Sequence, residues 1–404
     1  MSLDVYPKPA EIPRPLTAFG DLRTAELSPV FQDSFEYTVD NTELTVNTVA
    51  NGGTVTQANG MAVVGTSTTT ASTARLHSRR HAKYRAGLGG LLRFSAKFTS
   101  PVAATIQYMG LADASGSSEE FINGLTVGYT GTTFGFQRWQ NDALFEVAQS
   151  AWDDPLDGTG DSGMTLDQTK LNVFSISFQY LGGGAIMLSV EDDSTGMLVV
   201  VHTILYANLN TTPSTHNPNY RTMIHVDNLG TTSDMVVSCA SYGYFTEGKA
   251  GFTEIQQPLF SSGEQSTASV TTELAILTIR NKATYASKVN YIDLVLEAVT
   301  GSIQAAGANN LANIRVVKNT TLGGTPSYAD ISTTDSIVDM DVAGTTLTGG
   351  RELFSFPLAG KNDKLFHNVK GHQIFISPGE TLTISGTSVG TATVDAGLLW
   401  RELF

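Results

Sequence analysis

A single cysteine, Cys239, stands in a chain of 404 residues. It lies in the apolar run MVVSCASYGYF, so an intrachain disulfide and a thiolate metal cluster are both excluded, and the expected state is a buried, inert thiol. Charge is also scarce, at 15% of residues, and it sums to a formal −14. Phosphate binding is driven by Lys and Arg displacing counterions, so this balance argues against nucleic acid as a direct partner. No run approaches the ~20 apolar residues of a membrane span, and the N-terminus lacks a charged segment followed by an apolar core. The expected product has no membrane partner and is made in a cytoplasm. Sustained helical spacing is almost missing too.

What is abundant is glycine, 39 residues of it, with dense Thr and Ser among alternating Val, Ile, Leu and Phe. That pattern predicts many short strands joined by turns, and hence an all-β chain. Its organising stretch is NVFSISFQYLGGGAIMLSVED, residues 172–192. Phe174, Ile176 and Phe178 alternate with serines, and Ile186, Leu188 and Val190 alternate with Met187 and Ser189 beyond the Gly182-Gly183-Gly184 turn. A period of two on both arms predicts a hairpin with one apolar face, which a second sheet must cover. The chain preceding the hairpin is expected to build that second sheet.

Length points to two β domains. Residues 1–29 carry Pro7, Pro9, Pro13, Pro15 and Pro29 and read as an extended arm, because proline fixes φ and removes amide donors. Residues 30–250 read as a large two-sheet sandwich, 251–269 as a linker that loses the alternation, and 270–404 as a smaller, jelly-roll-like sandwich. The arm is either a disordered tail or a segment that orders on a neighbouring subunit through anchors such as Tyr6, Ile12 and Phe19.

Charge is unevenly spread. No Asp or Glu occurs between Leu44 and Ala112, whereas Arg75, Arg79, Arg80, Lys83 and Arg85 cluster inside that window. Three readings are open: a solvated strand edge, a subunit contact, or a phosphate site. The subunit contact is the one carried forward.

Motifs for chemistry are few. The loop DDPLDGTGDSG places Asp153, Asp154, Asp157 and Asp161 among glycines, a candidate calcium loop, but Pro155 and Met164 break the EF-hand pattern and an acidic surface turn is the plainer reading. No HExxH, no GxSxG and no phosphate loop occurs, so no catalytic residue, metal or cofactor is assigned. Glu119-Glu120 and Glu191-Asp192-Asp193 are acidic pairs of the kind a glycosidase needs, yet the latter reads as a turn. Tyr129, Trp139 and Trp152 surround short loops and are candidates for stacking on sugar rings, against the alternative that they are core residues.

The run from FGDLRTAELSPVFQDSFEY through GGTVTQANGMAVVGTSTTTAS to KYRAGLGGLLRFSAKFTSPVAATIQYMGLAD resembles the first domain of tailed-bacteriophage virion proteins. The hairpin is similar to the concanavalin-like, laminin-G-like sandwich pattern, and LAILTIRNKATY, VVKNTTLGGTPSYADIS and ISPGETLTIS resemble the small β domain of phage capsid-decoration and fibre proteins. The resemblance implies a place in the virion and assembly as a homotrimer. The expected function is therefore a non-enzymatic capsid decoration or cement protein, with the major capsid protein or other virion proteins as partners. The alternative is a tail fibre or receptor-binding protein whose sandwich binds host glycans, and a carbohydrate-active enzyme stands third.

Overall fold

In a computed structural model of the protein, the residues described are 26–39, 43–114, 121–248, 257–268, 270–305, 311–360 and 363–404. The predicted hairpin forms as strands Asn172–Phe178 and Ile186–Glu191, with Phe174 opposite Val190, Ile176 opposite Leu188 and Phe178 opposite Ile186. All six side chains are buried. Each such side chain taken from water contributes about 1.5–3 kcal/mol, so the register is held by its apolar face. The turn requires glycine: Gly182 has φ +85°, and a Cβ at Gly184 would stand 1.5 Å from the Gln179 carbonyl oxygen.

The hairpin lies in a nine-stranded antiparallel sheet whose main path runs Leu198–Ile204, Ile186–Glu191, Asn172–Phe178, Gly89–Phe98, Val236–Cys239, Met61–Gly65, Thr54–Ala58. Ser241–Glu247 also pairs with Gly89–Phe98 and carries Leu27–Ser34 on its other side. Against this sheet packs a seven-stranded one, ordered Ala143–Ala148, Thr133–Gln140, Phe121–Thr130, Ile106–Ala114, Arg221–Asp227, Thr73–Ser78, Thr45–Ala50. The partner sheet is thus not built only from chain preceding the hairpin. Arg221–Asp227 follows the hairpin and sits between two earlier strands, because long crossovers return the chain to an unfilled position in the sheet. Phe94, Phe98, Phe136, Phe174, Ile176 and Ile224 fill the space between the two sheets.

The second sandwich repeats the plan with two six-stranded sheets. One is centred on Leu294–Ala305 paired with Ala392–Glu402, the other on Leu274–Asn281, Thr381–Ser388 and Leu311–Lys318. Its core is separate from the first and includes Val299, Ile314, Ile384 and a fully buried Trp400. The stretch expected to be a linker contains strands Leu259–Ser261 and Gln265–Ala268, both paired with Ala392–Glu402, and its residues 251–256 lie outside the described residues. Only two short 3-10 turns, Gln149–Ala151 and Lys370–His372, interrupt the β structure among the described residues.

Candidate functional site

The two sandwiches meet along a seam of opposite charges. Strand Thr73–Ser78 of the first leads directly into Arg79, Arg80 and His81. The Arg79 guanidinium lies 3.4 Å from Glu380, and Arg80 stacks 3.8 Å above the ring of Phe375. Lys318 of the second sandwich sits 2.9 Å from Glu380 and 3.0 Å from Glu43 of the first. Tyr291 donates to Asp113 across the same seam at 3.3 Å. Arg221 Nε donates to His81 Nε2 at 2.9 Å, which leaves the His81 proton on Nδ1.

A cavity of about 660 Å³ opens at this seam. The first sandwich contributes Arg80, His81, Lys83, Tyr84 and Arg85 to its wall, and the second contributes Asp293, Glu297, Lys370, Phe375, Arg401 and Phe404, with Gln257 and Gln373 between them. Its size falls within the about 300–1,000 Å³ typical of ligand sites. Glu297 is held by Arg401 at 2.8 Å and approached by Lys370 at 3.9 Å.

Burial perturbs several of these groups. It pushes the Lys83 ammonium down to about 8, with Asp293 opposing the shift and Arg85 adding to it. It raises the Asp293 carboxyl despite the Ser377 hydroxyl and the nearby Arg80 and Arg221 guanidinia. His81 is driven well below its usual value by burial and then by Arg221, and stays neutral. His81 is 4% exposed and Asp293 7%, yet His81 Nδ1 and Asp293 Oδ1 find no hydrogen-bond partner. Buried polar atoms are normally paired, so these two, closed off from solvent beside the cavity, are exceptions to the rule. The wall thus offers charged, aromatic and amide groups for binding.

The basic stretch was expected to meet another subunit, and for two of its members this is corrected: Arg79 and Arg80 contact the second sandwich of the same chain. Arg75 is 6% exposed on the sheet, and Lys83 and Arg85 line the cavity. The acid-free window is thus balanced from within the chain by Asp293 and Glu380, two partners with no local signal beyond the need for counter-charge. Tyr6, Ile12 and Phe19 lie outside the described residues.

The sugar-stacking candidates separate from one another. Tyr129 and Trp152, at 5% and 4% exposure, belong to the core of the first sandwich, where Trp152 Nε1 donates to the Val147 carbonyl at 3.0 Å. They present no ring face, and that assignment is corrected. Trp139 is half-buried against Tyr108 and Phe121 on the other face of the seven-stranded sheet, and its Nε1 has no partner. The aspartates of the acidic loop point to different tasks: Asp153 accepts from the Thr203 amide, Asp157 from Thr159, and Asp161 is exposed. Among the described residues no group of three or more His, Cys, Asp or Glu is placed to hold a metal ion.

No family model and no curated protein sequence matches this chain. Solved structures do. A prokaryotic β-1,3-1,4-glucanase (lichenase) derived from a mouse hindgut metagenome is 12% identical with a TM-score of 0.35, covering 53% of this chain and 97% of its own. An immunostimulatory antigen and pseudo β-1,3-glucanase of Mycobacterium tuberculosis is 10% identical with a TM-score of 0.37, covering 55% of this chain and 100% of its own. An endo-acting O-glycanase from the human gut microbiota is 11% identical with a TM-score of 0.37, over 54% of this chain and 99% of its own. The chain is all-β with antiparallel sheets packed as sandwiches, and the similarity to these structures is consistent with the expected concanavalin-like sandwich. The expectation of a non-enzymatic capsid decoration protein is corrected to this extent: the solved structures that the chain is similar to carry glycoside hydrolase names, and none of these three carries the name of a virion protein. Identities of 10–12% bear on the fold alone and transfer no reaction.

Proposed function

We propose that the protein recognises a glycan, held in the cavity between its two sandwiches, and that it belongs to the virion of a tailed bacteriophage. The observation that carries the glycan reading is the cavity wall. Sugars present apolar C–H faces alternating with hydroxyl edges, and the wall offers Tyr84, Phe375 and Phe404 rings beside the side-chain amides of Gln257 and Gln373. The virion reading is supported by the resemblance of residues 19–113 and of the C-terminal strands to phage virion proteins. A host surface polysaccharide is then the ligand, homotrimeric assembly the working form, and the arm of residues 1–29 the contact to other virion proteins.

The test is a panel of bacterial surface polysaccharides presented to the full-length protein, with a Phe375→Ala variant beside it. Binding to one or more glycans, weakened about tenfold or more in the variant while the melting temperature holds, supports the reading. No binding across the panel at millimolar ligand, or equal binding by the variant, overturns it. Assaying the same panel for released reducing ends shows whether recognition is coupled to cleavage.

A further inference from the structure

We propose that the ligand of the seam cavity is an acidic saccharide, one bearing carboxylate or sulfate groups, and that Lys83 receives its charge. The inference rests on the reading of the cavity as a glycan site. On a chain whose formal charge is −14, the cavity wall carries five cationic side chains, Arg80, Lys83, Arg85, Lys370 and Arg401, against two carboxyls, a surplus of three. Both carboxyls are already engaged or weakened. Glu297 is held by Arg401 and Lys370, and burial shifts Asp293 toward its neutral form.

Lys83 is the cation left over. It is half-buried, and among the described residues it makes no ion pair. The charged and titratable groups around it are Asp293, Glu297, Lys370 and Arg401 from the second sandwich, and Arg80, His81 and Arg85 from its own segment. An ammonium stripped of water with too little counter-charge is destabilising, and burial raises the acidity of Lys83 more than Asp293 lowers it. An incoming anion supplies the missing partner. It also favours the protonated lysine, so binding takes up a proton and weakens as pH rises through about 8. The rings of Tyr84 and Phe375 and the amides of Gln257 and Gln373 hold the sugar body beside that charge, which distinguishes an acidic saccharide from a free inorganic anion.

The experiment is calorimetric titration of the full-length protein at low salt with four probes: an oligogalacturonate, a sulfated galactan oligosaccharide, a neutral β-glucan oligosaccharide of equal length, and inorganic sulfate. One or both acidic saccharides should bind about tenfold or more tighter than the neutral one, as a charge-assisted hydrogen bond implies. Preference between them distinguishes carboxylate from sulfate. Their affinity should fall about tenfold between pH 7 and pH 9, following the protonated fraction of a group with a pKa near 8. Lys83→Met should lose both the tighter binding and the pH dependence, with a melting temperature no lower than the wild type. Lys83→Arg should keep the binding and lose the pH dependence, because a guanidinium does not titrate there. Equal binding of neutral and acidic saccharides, or an unchanged Lys83→Met variant, overturns the inference and leaves the glycan site standing. Binding of sulfate without any saccharide, or of none of the four, overturns both.

Discussion

Replacing Lys318 with methionine tests whether the two sandwiches are joined through buried charge. The Lys318 side chain is 4% exposed and that of Glu380 5%, and they stand 2.9 Å apart. Glu43 of the first sandwich completes the cluster at 3.0 Å from Lys318. Removing one partner of a buried pair costs about 3–5 kcal/mol, because the other charge remains without compensation. Here Glu380 keeps Arg79 at 3.4 Å, Asn319 Nδ2 at 2.9 Å and the Ser377 amide at 2.8 Å. That residual support places the loss at the lower end, about 3 kcal/mol. At about 2–4 °C per kcal/mol the second sandwich should melt about 6–12 °C earlier. The cores are separate, so scanning calorimetry must resolve the two transitions instead of fitting one. The double variant Lys318→Met with Glu380→Gln removes the uncompensated buried carboxylate, leaving only the partly exposed charges of Arg79 and Glu43, and should recover part of the loss. A single variant within about 1 kcal/mol of the wild type, or a double variant no better than the single, would refute the reasoning.

Two further predictions follow from buried groups. The Cys239 thiol is fully buried and pushed up to about 12, chiefly by burial, so it should resist a disulfide-exchange reagent at pH 8 and react only after denaturation; rapid reaction of the native protein would contradict that. His225 and His77 are buried and pushed down to about 3, by burial first and then by Arg75 for His225 and Arg221 for His77. The unfolded chain takes up these protons near pH 6.5, so the stability present above that value is lost as pH falls from about 6.5 towards 3, by about 1.4 kcal/mol per pH unit for each histidine. His225→Phe should remove one proton's share of that slope in urea unfolding, and an unchanged slope would refute the assignment.

The fold was legible where a local rule decides the outcome, and the site was not, because its residues meet only through tertiary structure. Alternation placed Phe174, Ile176 and Phe178 on one face, and glycine at 182–184 closed the turn, since both effects act within a few residues. The same alternation could not say which sheet each strand joins: Arg221–Asp227 enters between strands that precede it by more than a hundred residues. Large aromatics show the limit most clearly. Trp139 and Trp152 have the same chemistry and similar neighbours in sequence, yet Trp152 closes a core while Trp139 lies half-buried against the opposite face. The seam had one readable sign, a window of cations without acids from Leu44 to Ala112. Such a window states that counter-charge is needed and not where it comes from. Asp293 and Glu380 supply it from about 200 and 300 residues downstream, and they do so incompletely, since among the described residues Lys83 makes no ion pair and Asp293 offsets its burial only in part. An imbalance left at the wall of a cavity is the part of the charge pattern that folding alone does not explain, and it is there that a ligand's charge has a physical reason to bind.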